Sequence, residues 1–138
     1  MGASIIAYIQ FDDSSSKDEL PFTNHPSTWD LSQDFNLTGE KDYTFYAAIS
    51  GVRNESGITP LFPCRGLPPS GWNKVQWFDN DDPNVGWLTL SEIYQALHHM
   101  KIEVESLGEA IQLLLKAMHL GEDFYGSGRV RLVFCVED

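Results

Sequence analysis

Cationic side chains are scarce in this chain. Nine lysines and arginines, four of them arginine, face twenty aspartates and glutamates in 138 residues, a formal net charge of −11. A protein whose main partner is a nucleic-acid backbone is therefore disfavoured, because phosphate binding relies on cationic neutralisation. Cysteine is scarce as well: Cys64 and Cys135 alone cannot build a disulfide framework or a zinc site, and each reads as a reduced thiol. No apolar run approaches the roughly 18 residues of a membrane helix. Met1 to Ala7 has neither a basic start nor a cleavage site, so no signal peptide and no membrane partner are expected, and the setting reads as cytoplasmic. Gly-rich phosphate fingerprints are also missing.

What is present is of ordinary globular composition. Hydrophobic residues make up 42% and charged residues 21%, which excludes disorder and fibrous repeats. The length suits a single domain over residues 1–138. Ser4 to Phe11 is rich in Ile, Tyr and Phe and runs into Asp12-Asp13-Ser14, the pattern of a strand meeting a polar loop. From Ser14 to Glu40 no period is sustained, which predicts a long loop with short strands. Asp42 is placed to cap a helix of about ten residues whose ending falls to Gly51 or Asn54. Between Arg53 and Gly86 lie five of the seven prolines. That Pro/Gly-rich loop needs pinning by large aromatics, with Trp72, Trp77, Phe78 and Trp87 in place to do it.

Thr89-Leu90-Ser91-Glu92 has the form of a capping box, followed by an apolar stripe of Ile93, Tyr94, Leu97 and Met100. Ser106-Leu107-Gly108-Glu109 matches the same pattern and precedes Ile111, Leu114, Leu115 and Met118, with Gly121 as the stop. Arg129 to Val136 alternates and then turns continuously apolar, as an internal strand does. The expectation is an α+β fold: a small mixed or antiparallel sheet with its N- and C-terminal strands paired, and two to three helices packed on it.

Residues Asp42 to Asn54, Pro60-Leu61, Arg65-Gly66-Leu67-Pro68 and Trp87-Leu88-Thr89-Leu90-Ser91-Glu92 carry a likeness, extended by Ala7-Tyr8-Ile9 and by Arg129 to Phe134. Together they resemble a family of small uncharacterised proteins from tailed bacteriophages and prophage-carrying bacteria. The resemblance implies a phage setting and no activity. That family often has His and Ser before the Trp of its Trp-Leu-Thr-Leu motif, where this chain has Asn84-Val85-Gly86. A role for a histidine there does not carry over.

Two surfaces stand out as candidate sites. Arg53 and Arg65 lie in short turn segments, and with Asn54, Trp72 and Trp87 they outline an anion pocket for a ligand such as a signalling nucleotide. Arginine suits bidentate recognition of phosphate or carboxylate; the plainer reading is that both arginines clamp the loop. The run holding Asp79, Asp81 and Asp82, with Asp12, Asp13, Glu103, Glu105, Glu109, Glu122 and Asp123, outlines an acidic face suited to a basic groove on a partner, or simply to solubility. As a metal site this run fails, since an EF-hand loop would need Gly where Asn84 stands. His98 and His99 point to different sides of a helix, and with His25 and His119 they fit helix-end contacts better than a metal site. No cofactor, metal or catalytic residue is expected.

Two functions remain open from sequence. One is a non-enzymatic phage accessory protein that binds a host protein, as an inhibitor of a defence or nucleic-acid-processing system, through its acidic surface. The alternative is a sponge for a small anionic nucleotide held by Arg53 and Arg65. Direct nucleic-acid binding is not expected, and self-association stays open.

Overall fold

The computed structural model describes residues 3–12, 27–30, 42–68, 78 and 82–137. Four antiparallel strands form one sheet: β1 (Ser4–Phe11), β2 (Ser27–Asp30), β3 (Val85–Thr89) and β4 (Val130–Glu137), in the order β2-β1-β4-β3. Among the described residues, helices α1 (Tyr43–Ser50), α2 (Leu90–His99) and α3 (Glu109–Tyr125) accompany the sheet in an α+β architecture. The terminal strands pair along their whole length, from Ser4 opposite Glu137 to Phe11 opposite Val130. β4 is internal, with β1 on one side and β3 on the other.

Alternation along the strands sorts their side chains onto two faces. Ile5, Ala7, Ile9 and Phe11 stand in register with Val136, Phe134, Leu132 and Val130, and these meet the helices in one apolar core. Phe45, Tyr46 and Ile49 enter it from α1, Ile93 and Leu97 from α2, and Ile111, Leu114, Leu115 and Met118 from α3. The spacing of those residues is why α2 and α3 each bury one side, whereas α1 is buried all round from Phe45 to Ile49. The opposite face holds Tyr8, Gln10, Arg131, Val133, Cys135 and Val85, and these are buried too. Among the described residues, Phe78 packs edge-on against Tyr8 with ring centroids 5.5 Å apart.

The caps explain where the helices start. Thr89 accepts from Glu92 N, and Glu92 accepts from Thr89 N at 3.0 Å, which completes the expected capping box of α2. Asp42 Oδ1 accepts from Phe45 N at 3.1 Å and caps α1, which ends at Gly51 in the left-handed conformation.

The expected box at Ser106 does not form. Ser106 lies in a 3-10 turn (Val104–Ser106) and its hydroxyl donates to Glu103 O, while Gly108 stands at the N-cap of α3. A partner from far away in sequence takes the N–H of the N-cap residue itself: Asp42 Oδ2 accepts from Gly108 N at 2.8 Å. One carboxylate thus serves the starts of two helices.

Gly121 is not a stop either. α3 continues to Tyr125 and ends at Gly126. Gly121 lies inside the helix because a Cβ there would overlap the Phe11 ring and approach Val130 Cγ2 to 2.9 Å. A close helix–sheet approach and a helix ending both select glycine, and only packing separates the two.

Candidate functional site

The Arg65 guanidinium lies over the Trp87 ring, 3.8 Å from its centroid. Its Nε donates to Trp87 O at 3.0 Å, and its Nη2 donates to and pairs with Glu92 Oε1. Gly66 N donates to Val85 O at 2.9 Å, which lays this part of the loop along β3. Burial raises the Glu92 pKa, but hydrogen bonds from Arg65 and Thr89 and the Arg65 charge outweigh it and hold the carboxyl below its ordinary value. The same Glu92 closes the capping box of α2. Arg65 therefore ties the loop to a strand and a helix start, as the clamp reading anticipates.

Arg131 reaches Trp87 from the sheet side, 5.9 Å from the ring centroid. It is buried, and its Nε donates to Gln10 Oε1 at 2.7 Å. Burial pulls its guanidinium from 12.5 down to about 10, against the opposing charge of Asp12. Arg129 pairs with the same buried Asp12 at 3.8 Å. Asp12, expected on the acidic face, is instead buried beside these arginines, and Gln10 and Arg131 belong to none of the sites expected from sequence. The available signal was two arginines in a strand that otherwise turns apolar.

Arg53 is placed elsewhere. It has a left-handed backbone with φ 59°, and its guanidinium lies over the Tyr43 ring at 5.4 Å. With Tyr43, Thr44, Glu55, Met100 and Ile102 it lines a cleft of about 380 Å³. Asn54 also borders the cleft, yet its amide is engaged locally. It donates to Ile58 O at 2.7 Å and accepts from Ser56 N and Oγ, shaping the turn. Arg65 and Trp87 do not line this cleft, so the described members of the expected anion pocket fall into two groups.

Trp72, Asp79 and Asp81 lie outside the described residues. Asp82 accepts from Asn84 N at 2.9 Å and from Cys135 Sγ at 3.6 Å, so it is a turn former with an inward partner. Burial, and then the charge and hydrogen bond of Asp82, push the Cys135 thiol up to about 12. The half-buried Cys64 is raised for the first two of these reasons, so both thiols stay protonated at neutral pH. His99 Nε2 contacts Thr59 O at 2.8 Å, and His119 Nε2 contacts Tyr94 OH at 2.7 Å. No group of three metal-ligating side chains occurs among the described residues, and no helix there is long and apolar enough to cross a membrane.

No protein-family model, curated protein or solved structure matches the chain.

Proposed function

We propose that this chain is a non-enzymatic accessory protein of phage type that binds a host protein through an acidic outer surface. The direction of its charges carries the reading. Arg65, Arg129 and Arg131 face partners within the chain, whereas Glu55, Glu103, Glu105, Glu109, Asp123 and Glu137 are exposed. Besides Arg65, the exposed lysines and arginines among the described residues are Arg53, Lys101 and Lys116. A surface so biased accelerates and orients association with a basic partner, such as the nucleic-acid groove of a defence protein. The acidic contact extends beyond Asp79 and Asp81 to these exposed carboxylates, and Asp82 is engaged by Asn84 and Cys135.

The test is affinity capture from host lysate at low and high salt, with the native chain and with a variant carrying Asp79→Asn, Asp81→Asn, Glu103→Gln and Glu105→Gln. The reading expects a captured protein that is lost with salt and with the variant. Equal capture by both chains overturns it.

A second reading, the binding of a small anionic ligand, is favoured by the placement of Arg53 over Tyr43 at the cleft. It rests on Arg53, since Arg65 is held by Glu92 and Trp87. Inorganic phosphate and linear and cyclic nucleotides should then raise the melting temperature of the native chain and leave Arg53→Ala unmoved. Absence of any shift with the native chain removes the reading.

A further inference from the structure

Helix α3 carries a second apolar stripe on the side away from the core. Leu113, Leu120 and Phe124 are 48, 69 and 81% exposed, and the half-buried Ala117 lies between them. At helical periodicity these four fall within an arc of about 60°. Ile111, Leu114, Leu115 and Met118 fill the core from the other side. A solvent-facing Phe and Leu aligned over three turns form a contiguous patch of the kind that marks a protein interface.

We propose that a second copy of this chain docks on this stripe, with the two α3 helices antiparallel about a two-fold axis near Met118 and His119. The spacing 113, 117, 120, 124 steps by four, three and four residues, the interval of a helix–helix seam. Read in reverse it is the same. Antiparallel docking therefore sets Leu113 opposite Phe124 of the second copy and Ala117 opposite Leu120 of the second copy, a large side chain against a small one at the axis.

The flanking charges choose both partner and orientation. Lys116 and Asp123 are exposed, two turns apart on the same flank of the stripe, and neither forms an ion pair with another described residue. In the antiparallel register Lys116 meets Asp123 of the second copy, and the symmetry repeats the pair. An isologous interface requires this self-complementarity. A parallel pair would turn this flank toward the opposite flank of the second copy's helix, where Ala110 and Gly121 are buried against the core, and would match no charge. The apolar seam supplies the attraction and the ion pairs set the register.

Sedimentation velocity on the full chain over a concentration series tests this. The native chain should pass from one chain mass to two, and Leu120→Asp should remain at one. Lys116→Asp sets like charges together and should weaken the dimer. Adding Asp123→Lys to that variant reverses both charges and should restore it. All three positions are exposed on one side of α3, and far-UV circular dichroism establishes that each variant is folded. A native chain that stays monomeric at every concentration overturns the proposal. So does a dimer indifferent to Leu120→Asp, or a double charge reversal that fails to recover association. Capture of another protein on the stripe by a chain that never dimerises likewise assigns the surface to a different occupant.

Discussion

Both faces of the sheet bury side chains, the helix-covered one throughout and the other with Ile6 and Trp87 only half-buried, and the two are built in opposite ways. Against the helices, Ile9, Leu132, Phe134 and Val136 belong to a core whose buried side chains are apolar apart from the Tyr46 hydroxyl. On the other face Gln10 and Arg131 lie buried beside Val133 and Cys135, and their polar atoms need partners with defined geometry. An apolar face tolerates whatever fills its volume. A polar buried face tolerates much less, because each unmatched group costs its desolvation.

The largest effect that separates the faces comes from the core. Phe134→Ala removes a fully buried ring facing α1–α3 and should cost about 3–5 kcal/mol, read from urea unfolding. On the polar face, Gln10→Leu keeps most of the volume but takes the acceptor from the Arg131 Nε, and should cost about 1.5–3 kcal/mol. Gln10→Glu restores an acceptor and should recover much of the loss. If Gln10→Leu proves neutral, the polar face is no more demanding than the apolar one. Asp42→Ala tests the helical side through hydrogen bonding alone, with an expected loss of about 1–2 kcal/mol. Hydrogen exchange should speed up at the starts of both α1 and α3.

The smallest effect is one of pH. The Glu92 carboxyl is held below its ordinary 4.5 in the fold, so the unfolded chain takes up its proton first as pH falls. Its contribution to stability is then present above 4.5 and is lost as the pH drops through the lowered folded value. Thermal melts over that range should show the native chain losing more stability than Glu92→Gln. Parallel curves would mean that the pair with Arg65 adds nothing.

Elements governed by local physics were legible in the sequence. β1 was readable from its residues to the last position, and so were the caps at Asp42 and Thr89, because alternation and short-range hydrogen bonding are local properties. The start of α3 was not legible, since Ser106 offered a nearby hydroxyl while the acceptor used belongs to Asp42. The core role of Gly121 was hidden for a similar reason, as Phe11 presses on it from a strand far away in the chain. At the candidate site, Arg53 and Arg65 were found by residue type, but sequence separation gave no sign that one lies over Tyr43 and the other over Trp87. The outward stripe of α3 was present as spacing. It carries no separate signal in the sequence, because the inward stripe of the same helix already accounts for a fold.

The pairing of β1 with β4 also bears on how fast this molecule assembles. Ile6 and Cys135 stand opposite each other, so the central ladder closes a loop that spans nearly the whole described chain. Such a closure must be met entropically before its ladder returns any free energy, and this slows folding. α2, whose capping box lies within its own first turn, can form early, yet it has no sheet to rest on until the two strands meet. The meeting of β1 and β4 is thus the natural place for the rate-limiting barrier, and until it happens their apolar edges are open to pairing with other chains.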